Sequence, residues 1–124
     1  VHENTNWKTF YHTCGAITTF LQDFYEMGVD ILNPVQLSAH GMDGKMLKEK
    51  WGDKFTFWGG GVDTQKTLPF GTPQEVYDEV KERLKLFNKG GGFVFNTVHN
   101  IQGQTSAENM LAMFQAIKDF NEGR

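Results

Sequence analysis

His12 and Cys14 are separated by a single residue near the start of the chain. Side chains two positions apart point to the same side of a β-strand, so this imidazole and this thiol can share one face. An imidazole nitrogen and a thiolate sulfur together suit Zn²⁺, and a catalytic zinc takes three protein ligands and keeps one position open. The spacing therefore predicts part of a zinc site. The alternative is a small thiol packed beside a structural histidine.

His99 stands just past an apolar run near the other end of the chain and is followed by Asn100. It is the candidate for a third metal ligand or for a catalytic general acid. The alternative is a histidine whose two ring nitrogens are satisfied by neighbouring backbone groups, because turns after strands also need polar side chains.

Asp63 follows a run of three glycines at 59 to 61. We expect it to act in catalysis or to anchor a substrate or a metal-bound histidine. The alternative is a turn aspartate that accepts hydrogen bonds from its own backbone. The glycine run lacks the lysine and the spacing of a phosphate-binding loop. Four amide side chains are candidate substrate contacts: Asn33, Gln36, Gln65 and Asn100.

Four strand-then-helix units are predicted to position these residues. The strands lie at 9–12, 29–33, 55–58 and 93–95, and apolar residues recur at helical spacing between them. The helix after the third strand begins at Thr72-Pro73-Gln74-Glu75, which fits a capping box with proline at the first helical position. The last helix opens at Thr105-Ser106-Ala107-Glu108, a second candidate box. Four of its apolar residues are expected to be buried: Met110, Leu111, Phe114 and Ile117.

Alternating strands and helices predict an α/β fold with a parallel sheet and right-handed crossovers. In such a sheet the chemistry lies at the carboxyl ends of the strands, where the candidate residues fall. A doubly wound sandwich is the alternative, but its central strands are continuous apolar runs, whereas these strands contain Asn33, Thr56 and Asn96. Four units are half of a (βα)8 barrel, which needs about 250 residues. The 124 residues are predicted to form one domain, 1–124, that is half of a barrel.

The composition excludes several classes of protein. Hydrophobic residues are 39% and charged residues 22%, which is typical of a globular domain. The net charge is −3 with basic and acidic residues interleaved, so no basic face for nucleic acid is expected, and no apolar run is long enough to span a membrane. The single cysteine indicates a reducing, cytoplasmic environment. Because the chain begins at Val1 rather than methionine, we expect a fragment of a longer product.

The segments that carry the candidate residues resemble the uroporphyrinogen decarboxylase family, which also includes corrinoid- and coenzyme M-dependent methyltransferases. The resemblance covers nearly the whole chain in order, and it implies the carboxyl-terminal half of a (βα)8 barrel. The matching segments are Tyr11-His12-Thr13-Cys14-Gly15, Asp30-Ile31-Leu32-Asn33-Pro34-Val35-Gln36, Phe57-Trp58-Gly59-Gly60-Gly61-Val62-Asp63-Thr64-Gln65, Leu68-Pro69-Phe70-Gly71-Thr72-Pro73, Val98-His99-Asn100-Ile101-Gln102 and Ala107-Glu108-Asn109.

The methyltransferase branch of that family holds zinc through a His-x-Cys pair and a later cysteine. His12 and Cys14 match the pair, and His99 occupies the position of the later cysteine. The resemblance thus implies methyl transfer between a corrinoid, carried by a partner protein, and the thiol of a small substrate.

The decarboxylase branch implies a different reaction. Its members act without metal on uroporphyrinogen or a related polycarboxylate in porphyrin biosynthesis, and they place a histidine at the position of His99. They have no His-x-Cys pair, and their essential arginines and aspartate lie in the amino-terminal half of the barrel, outside this chain.

A third expectation is an inactive half-barrel that dimerises. Half a barrel leaves two unpaired sheet edges, which favour pairing with another copy or with the missing half. We therefore expect a homo-oligomer or association with the other half-barrel.

Overall fold

The structure is a computed structural model that describes residues 1 to 124. It contains one sheet of four parallel strands in the order β1-β2-β3-β4. The strands are β1 (Phe10–His12), β2 (Ile31–Asn33), β3 (Thr56–Trp58) and β4 (Phe93–Val94). The sheet is open at β1 and β4, so the predicted α/β class and the predicted partial barrel are confirmed.

Five helices follow the strands. They are α1 (Leu21–Glu26, preceded by a 3-10 turn at Thr18–Phe20), α2 (Gly44–Trp51), α3 (Thr67–Phe70), α4 (Pro73–Phe87) and α5 (Ala107–Asn121). None of them combines the length and the apolar character needed to cross a membrane.

The two faces of the sheet differ in burial because side chains alternate along each strand. Leu32 and Phe57 are register partners, and each is 1% exposed on the face covered by helices. Phe57 meets Phe87 of α4 edge to face, with ring centroids 5.5 Å apart. Their neighbours on the other face, Ile31 and Thr56, are only half-buried. The uncovered face is the concave inner face of the partial barrel.

Two apolar clusters hold the helices on the sheet. The first joins α1 and α2 to β2 and β3 and includes Leu21, Leu32, Leu47, Phe57 and Phe87. The second lies among α3, α4 and α5, and its members are Val62, Leu68, Val76, Val80, Leu84, Met113 and Ala116. Phe93 of β4 packs against both clusters, so the strand joins them into one core.

The predicted start of α4 is confirmed. The Thr72 hydroxyl accepts a hydrogen bond from the Glu75 backbone N–H at 3.3 Å, and the Glu75 carboxylate accepts from the Thr72 backbone N–H at 2.7 Å. This is a complete capping box with proline at the first helical position. At α5 the N-cap is Ser106, whose hydroxyl accepts from the Asn109 backbone N–H at 3.2 Å. The start of α5 is therefore one residue later than the predicted box.

The predicted buried face of α5 is wrong for two of its four residues. Leu111 and Phe114 are 69% and 56% exposed, while Met110 and Ile117 are half-buried. The helix instead buries Asn109, Met113 and Ala116. These follow one another at four- and three-residue spacing and face α3 and α4, the helices against which α5 packs. Its other side has no neighbour in this open structure.

Candidate functional site

The first part of the site is a pair of residues at adjacent strand ends. His12 ends β1 and Asn33 ends β2, and the sheet register makes them partners on the concave face. The His12 Nδ1 lies 2.6 Å from the Asn33 Oδ1, and the Asn33 Nδ2 donates to the Trp58 carbonyl oxygen at 2.8 Å. Three successive strands are therefore connected through one amide side chain.

The partners in these two hydrogen bonds determine which atom donates and which accepts in each bond. A backbone carbonyl can only accept, so the Asn33 amide nitrogen must face Trp58 and its oxygen must face His12. The His12 Nδ1 must then donate, which leaves the lone pair of Nε2 free in the neutral ring. The Cys14 Sγ lies 3.6 Å from this Nε2. The imidazole and the thiol thus face each other, as their two-residue spacing predicts.

Gln36 fixes the loop that carries Cys14. The backbone N–H of Gly15 donates to the Gln36 Oε1 at 2.9 Å, and Gly15 has a positive φ of 89°. Asn33 is 8% exposed, whereas the Cys14 side chain is exposed. Asn33 at the end of β2 therefore contacts His12, and Gln36 in the following loop contacts Gly15, directly after Cys14. Whether either contacts a substrate stays a prediction.

His99 lies in the turn after β4. The Thr97 hydroxyl donates to the His99 carbonyl oxygen at 2.5 Å, and the Val98 N–H donates to the Val62 carbonyl at 3.1 Å, which fixes this turn against the loop after β3. His99 and His12 line the same cavity of 330 Å³; its walls are His12, Asn33, Asn96, Thr97, Val98, His99 and Asn100.

The predicted ligands are brought together pairwise rather than as a set of three. His12 faces Cys14 across 3.6 Å, and His12 shares a cavity with His99. No group of three or more His, Cys, Asp or Glu side chains lies close enough to hold a metal ion in this conformation. The chain therefore brings His12 and Cys14 together and places His99 on the same cavity as His12.

A second hollow of 450 Å³ adjoins the first at His99. Its lining residues are Thr64, Gln65, His99, Gln102 and Gln104, with no hydrophobic or formally charged side chain among them. The predicted substrate contacts Gln65 and Asn100 thus lie on the two sides of His99. A larger hollow of 730 Å³ lies on the outer surface beside α3 and α4 and contains none of the candidate residues.

Asp63 has hydrogen bonds typical of a turn aspartate. Its Oδ1 accepts from the backbone N–H groups of Gln65 at 2.7 Å and Lys66 at 3.0 Å, and its own N–H donates to the Glu79 carboxylate at 3.0 Å. It lines neither hollow beside His99. These contacts order the start of α3, and a role for Asp63 in catalysis stays a prediction.

Two contributors to the site were not among the predicted site residues. Asn96 lines the cavity with both histidines, and its place at a polar strand end is a signal that sequence reasoning could have used. The Trp58 carbonyl, which orients Asn33, could not have been found in this way. A backbone acceptor carries no side-chain signal, and only the register of β2 and β3 brings it into reach.

The chain is similar to known proteins over almost its full length. It matches the family model described as "Uroporphyrinogen decarboxylase (URO-D)" over residues 1–120. Among solved structures, a methyltransferase from Methanosarcina mazei superposes with a TM-score of 0.73 and 26% sequence identity. The superposition covers 96% of this chain and 33% of the methyltransferase, so the chain spans about a third of that protein's length. No curated protein sequence matches it.

Proposed function

Because the chain belongs to the uroporphyrinogen decarboxylase family, we propose that it supplies the carboxyl-terminal half of a zinc-dependent methyltransferase. The transferred methyl group moves between a corrinoid and the thiol of a small substrate. The support is the family match, the likeness to a methyltransferase and the ligand pair at the end of β1.

One observation carries the zinc part of the proposal. The His12 Nε2 and the Cys14 Sγ are 3.6 Å apart, and the other ring nitrogen of His12 is committed to Asn33. Zinc bonds of about 2.0–2.1 Å to nitrogen and about 2.3 Å to sulfur, at a tetrahedral angle, put the two ligand atoms about 3.5 Å apart. A metal-binding histidine also usually donates its second N–H to a neighbouring acceptor. The N–S separation of the pair is therefore compatible with two zinc ligands.

His99 is the proposed third ligand from this chain because it lines the same cavity as His12. If it does not bind the metal, its place beside the cavity suits a general acid that protonates a bound substrate. A ligand from outside this chain would then complete the metal site, since a catalytic zinc takes three protein ligands.

The remaining residues would bind and orient the substrate. Zinc, when bound there, lowers the pKa of a substrate thiol and favours the thiolate that accepts a methyl group. The amides of Asn96 and Asn100 border the 330 Å³ cavity, and Gln65 borders the hollow on the other side of His99. Neutral hydrogen-bonding groups there can orient a polar substrate without competing for the metal. Asp63 is proposed to act only indirectly, through the loop that contains Gln65.

The proposal also includes partners and a compartment. The corrinoid would be carried by a partner protein, and the chain would associate with the other half-barrel or with a second copy. The open sheet edges at β1 and β4 support association. A cytoplasmic location is proposed because the only cysteine, Cys14, is a free exposed thiol that a reducing compartment preserves.

Zinc content tests this function directly. Wild-type chain equilibrated with zinc and then desalted is expected to retain the metal, as measured by elemental analysis. Cys14→Ser and His12→Ala should lose most of it, because each removes one ligand of the pair. His40→Ala is the matched control, since His40 is an exposed histidine that lines neither hollow beside His99. Equal and negligible zinc in wild type and Cys14→Ser would reject the proposal.

A metal-independent decarboxylase is the second candidate. The observation in its favour is His99, which faces the cavity and could bind or protonate a polycarboxylate such as uroporphyrinogen. Its test is decarboxylation of uroporphyrinogen by this chain combined with the other half-barrel. Activity that survives a chelator and Cys14→Ser but is lost in His99→Ala would favour the decarboxylase over the methyltransferase.

A further inference from the structure

Asn33, the last residue of β2, and Gln36, three residues later, both contact the segment that carries His12 and Cys14. Asn33 reaches His12, and Gln36 reaches the backbone directly after Cys14, at Gly15. Both were expected to contact substrate, yet both use their side-chain oxygens within the protein. They are separated by only Pro34 and Val35, which are buried at the end of the strand. The short segment therefore behaves as one rigid support.

We propose that Asn33 and Gln36 are positioning residues that prepare His12 and Cys14 as a ligand pair. Asn33 sets the tautomer and ring orientation of His12, and Gln36 holds the backbone that presents the Cys14 sulfur. This positioning does not require a bound metal. That it prepares a zinc site rests on the proposed function.

The direction of its two hydrogen bonds determines the role of Asn33. Its amide nitrogen donates to the Trp58 carbonyl at 2.8 Å, so its oxygen is left to accept from the His12 Nδ1 at 2.6 Å. A rotated amide would place two donors or two acceptors against each other in a site that is 8% exposed, which is unfavourable. The Nδ1–H tautomer is therefore selected before any ligand arrives.

Gln36 acts on the loop after Cys14. Gly15 has φ +89°, and a Cβ built there would meet no other atom within 4 Å, so side-chain packing does not fix its conformation. The hydrogen bond from its N–H to the Gln36 Oε1 ties this residue to the segment after β2, while the Thr13 N–H on the other side of Cys14 donates to the Asn33 carbonyl oxygen at 2.7 Å. Without the Gln36 bond, the backbone of the loop would be held only before Cys14, and the separation of the thiol from His12 would vary more widely about 3.6 Å.

The first experiment reads the tautomer by ¹H–¹⁵N correlation NMR of the His12 ring, in metal-free chain at mildly alkaline pH. Wild type is expected to show the Nδ1–H form. Asn33→Ala should shift the ring toward the Nε2–H form or a mixture, while Asn100→Ala, which removes another amide of the same cavity, should not. A wild-type ring in the Nε2–H form would overturn the proposal, even if Asn33→Ala fails to fold. So would an unchanged tautomer in a folded Asn33→Ala variant.

The second experiment reads the loop by amide hydrogen exchange at Gly15. Exchange should accelerate in Gln36→Ala and return toward the wild-type rate in Gln36→Glu, which keeps an acceptor oxygen at the same position. Zinc affinity, measured by competition with a chromophoric chelator, should weaken about 10- to 100-fold in Asn33→Ala and Gln36→Ala. Unchanged Gly15 exchange in Gln36→Ala would overturn the role of Gln36. If wild type binds no zinc but the tautomer and exchange results hold, the positioning stands and the methyltransferase proposal fails.

Discussion

Asn109 of α5 donates hydrogen bonds from one amide nitrogen to two carbonyl oxygens at the end of α3, those of Leu68 at 2.9 Å and Gly71 at 2.8 Å. The last carbonyls of a helix have no partner within that helix, so another group must satisfy them. Asn109 is 3% exposed, which makes it a buried connection between α5 and the loop before α4.

Asn109→Leu should therefore destabilise the fold by about 2–3 kcal/mol, because two buried carbonyls lose their donor while the branching of the side chain at Cγ is kept. Denaturant unfolding followed by circular dichroism would measure this. Asn121→Leu, an exposed position at the end of the same helix, is the matched control and should change stability by less than about 0.5 kcal/mol. Equal losses in the two variants would show that the buried contact is not responsible, because helix propensity favours leucine over asparagine at both positions.

Asp30 ties the amino-terminal segment to the sheet. Its carboxylate accepts from the Thr9 N–H at 2.7 Å and the Thr9 hydroxyl at 3.0 Å, and it pairs with His2 at 2.8 Å and Lys8 at 3.3 Å. Burial alone would raise the pKa of Asp30, but these hydrogen bonds, led by the Thr9 backbone, outweigh burial and hold the pKa well below its ordinary value.

A lowered pKa in the folded state makes stability depend on pH. The ionised carboxylate stabilises the folded chain above the unfolded-state pKa of about 3.9, and this contribution is lost as the pH falls through the folded-state pKa. Asp30→Asn should be about 1–2 kcal/mol less stable than wild type at neutral pH, with the gap closing in acid. Asp23→Asn removes the same charge from an exposed site on α1 and is the control. A gap that is independent of pH would contradict this account.

The glycines after β3 serve close packing. Gly60 has φ +88°, and a Cβ there would lie 2.5 Å from the Val35 carbonyl oxygen, in the loop after β2. Gly90 has a similar φ of +76° but open space around it. Substitutions at both positions would strain the backbone, but only a substitution at Gly60 would also cause steric overlap.

Gly90→Ala should destabilise the fold by about 1 kcal/mol through backbone strain alone. Gly60→Ala should be worse by a further 2 kcal/mol or so, because the overlap also displaces the loop after β2. Gly103→Ala, with neither positive φ nor a close neighbour, should be nearly neutral and completes the series. Thermal unfolding of the three variants gives the ranking, and similar melting temperatures for Gly60→Ala and Gly90→Ala would refute the steric argument.

The sequence predicted those features that depend on neighbouring residues in the chain. The capping box at Thr72 and Glu75 is a local signal, and α4 begins where that signal places it. The four strands were located because each apolar run meets a polar turn, although the structure shortens every one of them, and β2 the most, to Ile31–Asn33. His12 and Cys14 also face each other as their two-residue spacing predicts, although β1 ends at His12 and Cys14 lies just past the strand.

Features that depend on distant residues could not be predicted in this way. The hydrogen bond between His12 and Asn33 depends on the register of β1 and β2. The hydrogen bond from Asn33 to the Trp58 carbonyl depends on the register of β2 and β3. The prediction of the buried face of α5 was wrong for the same reason. The apolar residues of that helix cover more than one face, and the choice between Met113 and Phe114 as the buried residue is made by α4.

Large apolar side chains are exposed on α5 and on β1. Leu111 and Phe114 lie one turn apart and are 69% and 56% exposed, and at the opposite edge of the sheet Phe10 and Tyr11 of β1 are 50% and 40% exposed. Large apolar side chains at both open edges favour closure against a second copy of this half-barrel. We expect the wild-type chain to self-associate at tens of micromolar in sedimentation velocity.

Leu111→Lys combined with Phe114→Lys should weaken that association at least about 100-fold, because burial of two large apolar side chains contributes about 3 kcal/mol or more. Folding should be retained, since neither side chain is part of the core. Gln115→Lys adds a positive charge at a neighbouring exposed position of α5 and is the control for charge repulsion. A wild-type chain that sediments as a monomer at these concentrations would exclude self-association, and the missing half-barrel would then be the remaining candidate for this face.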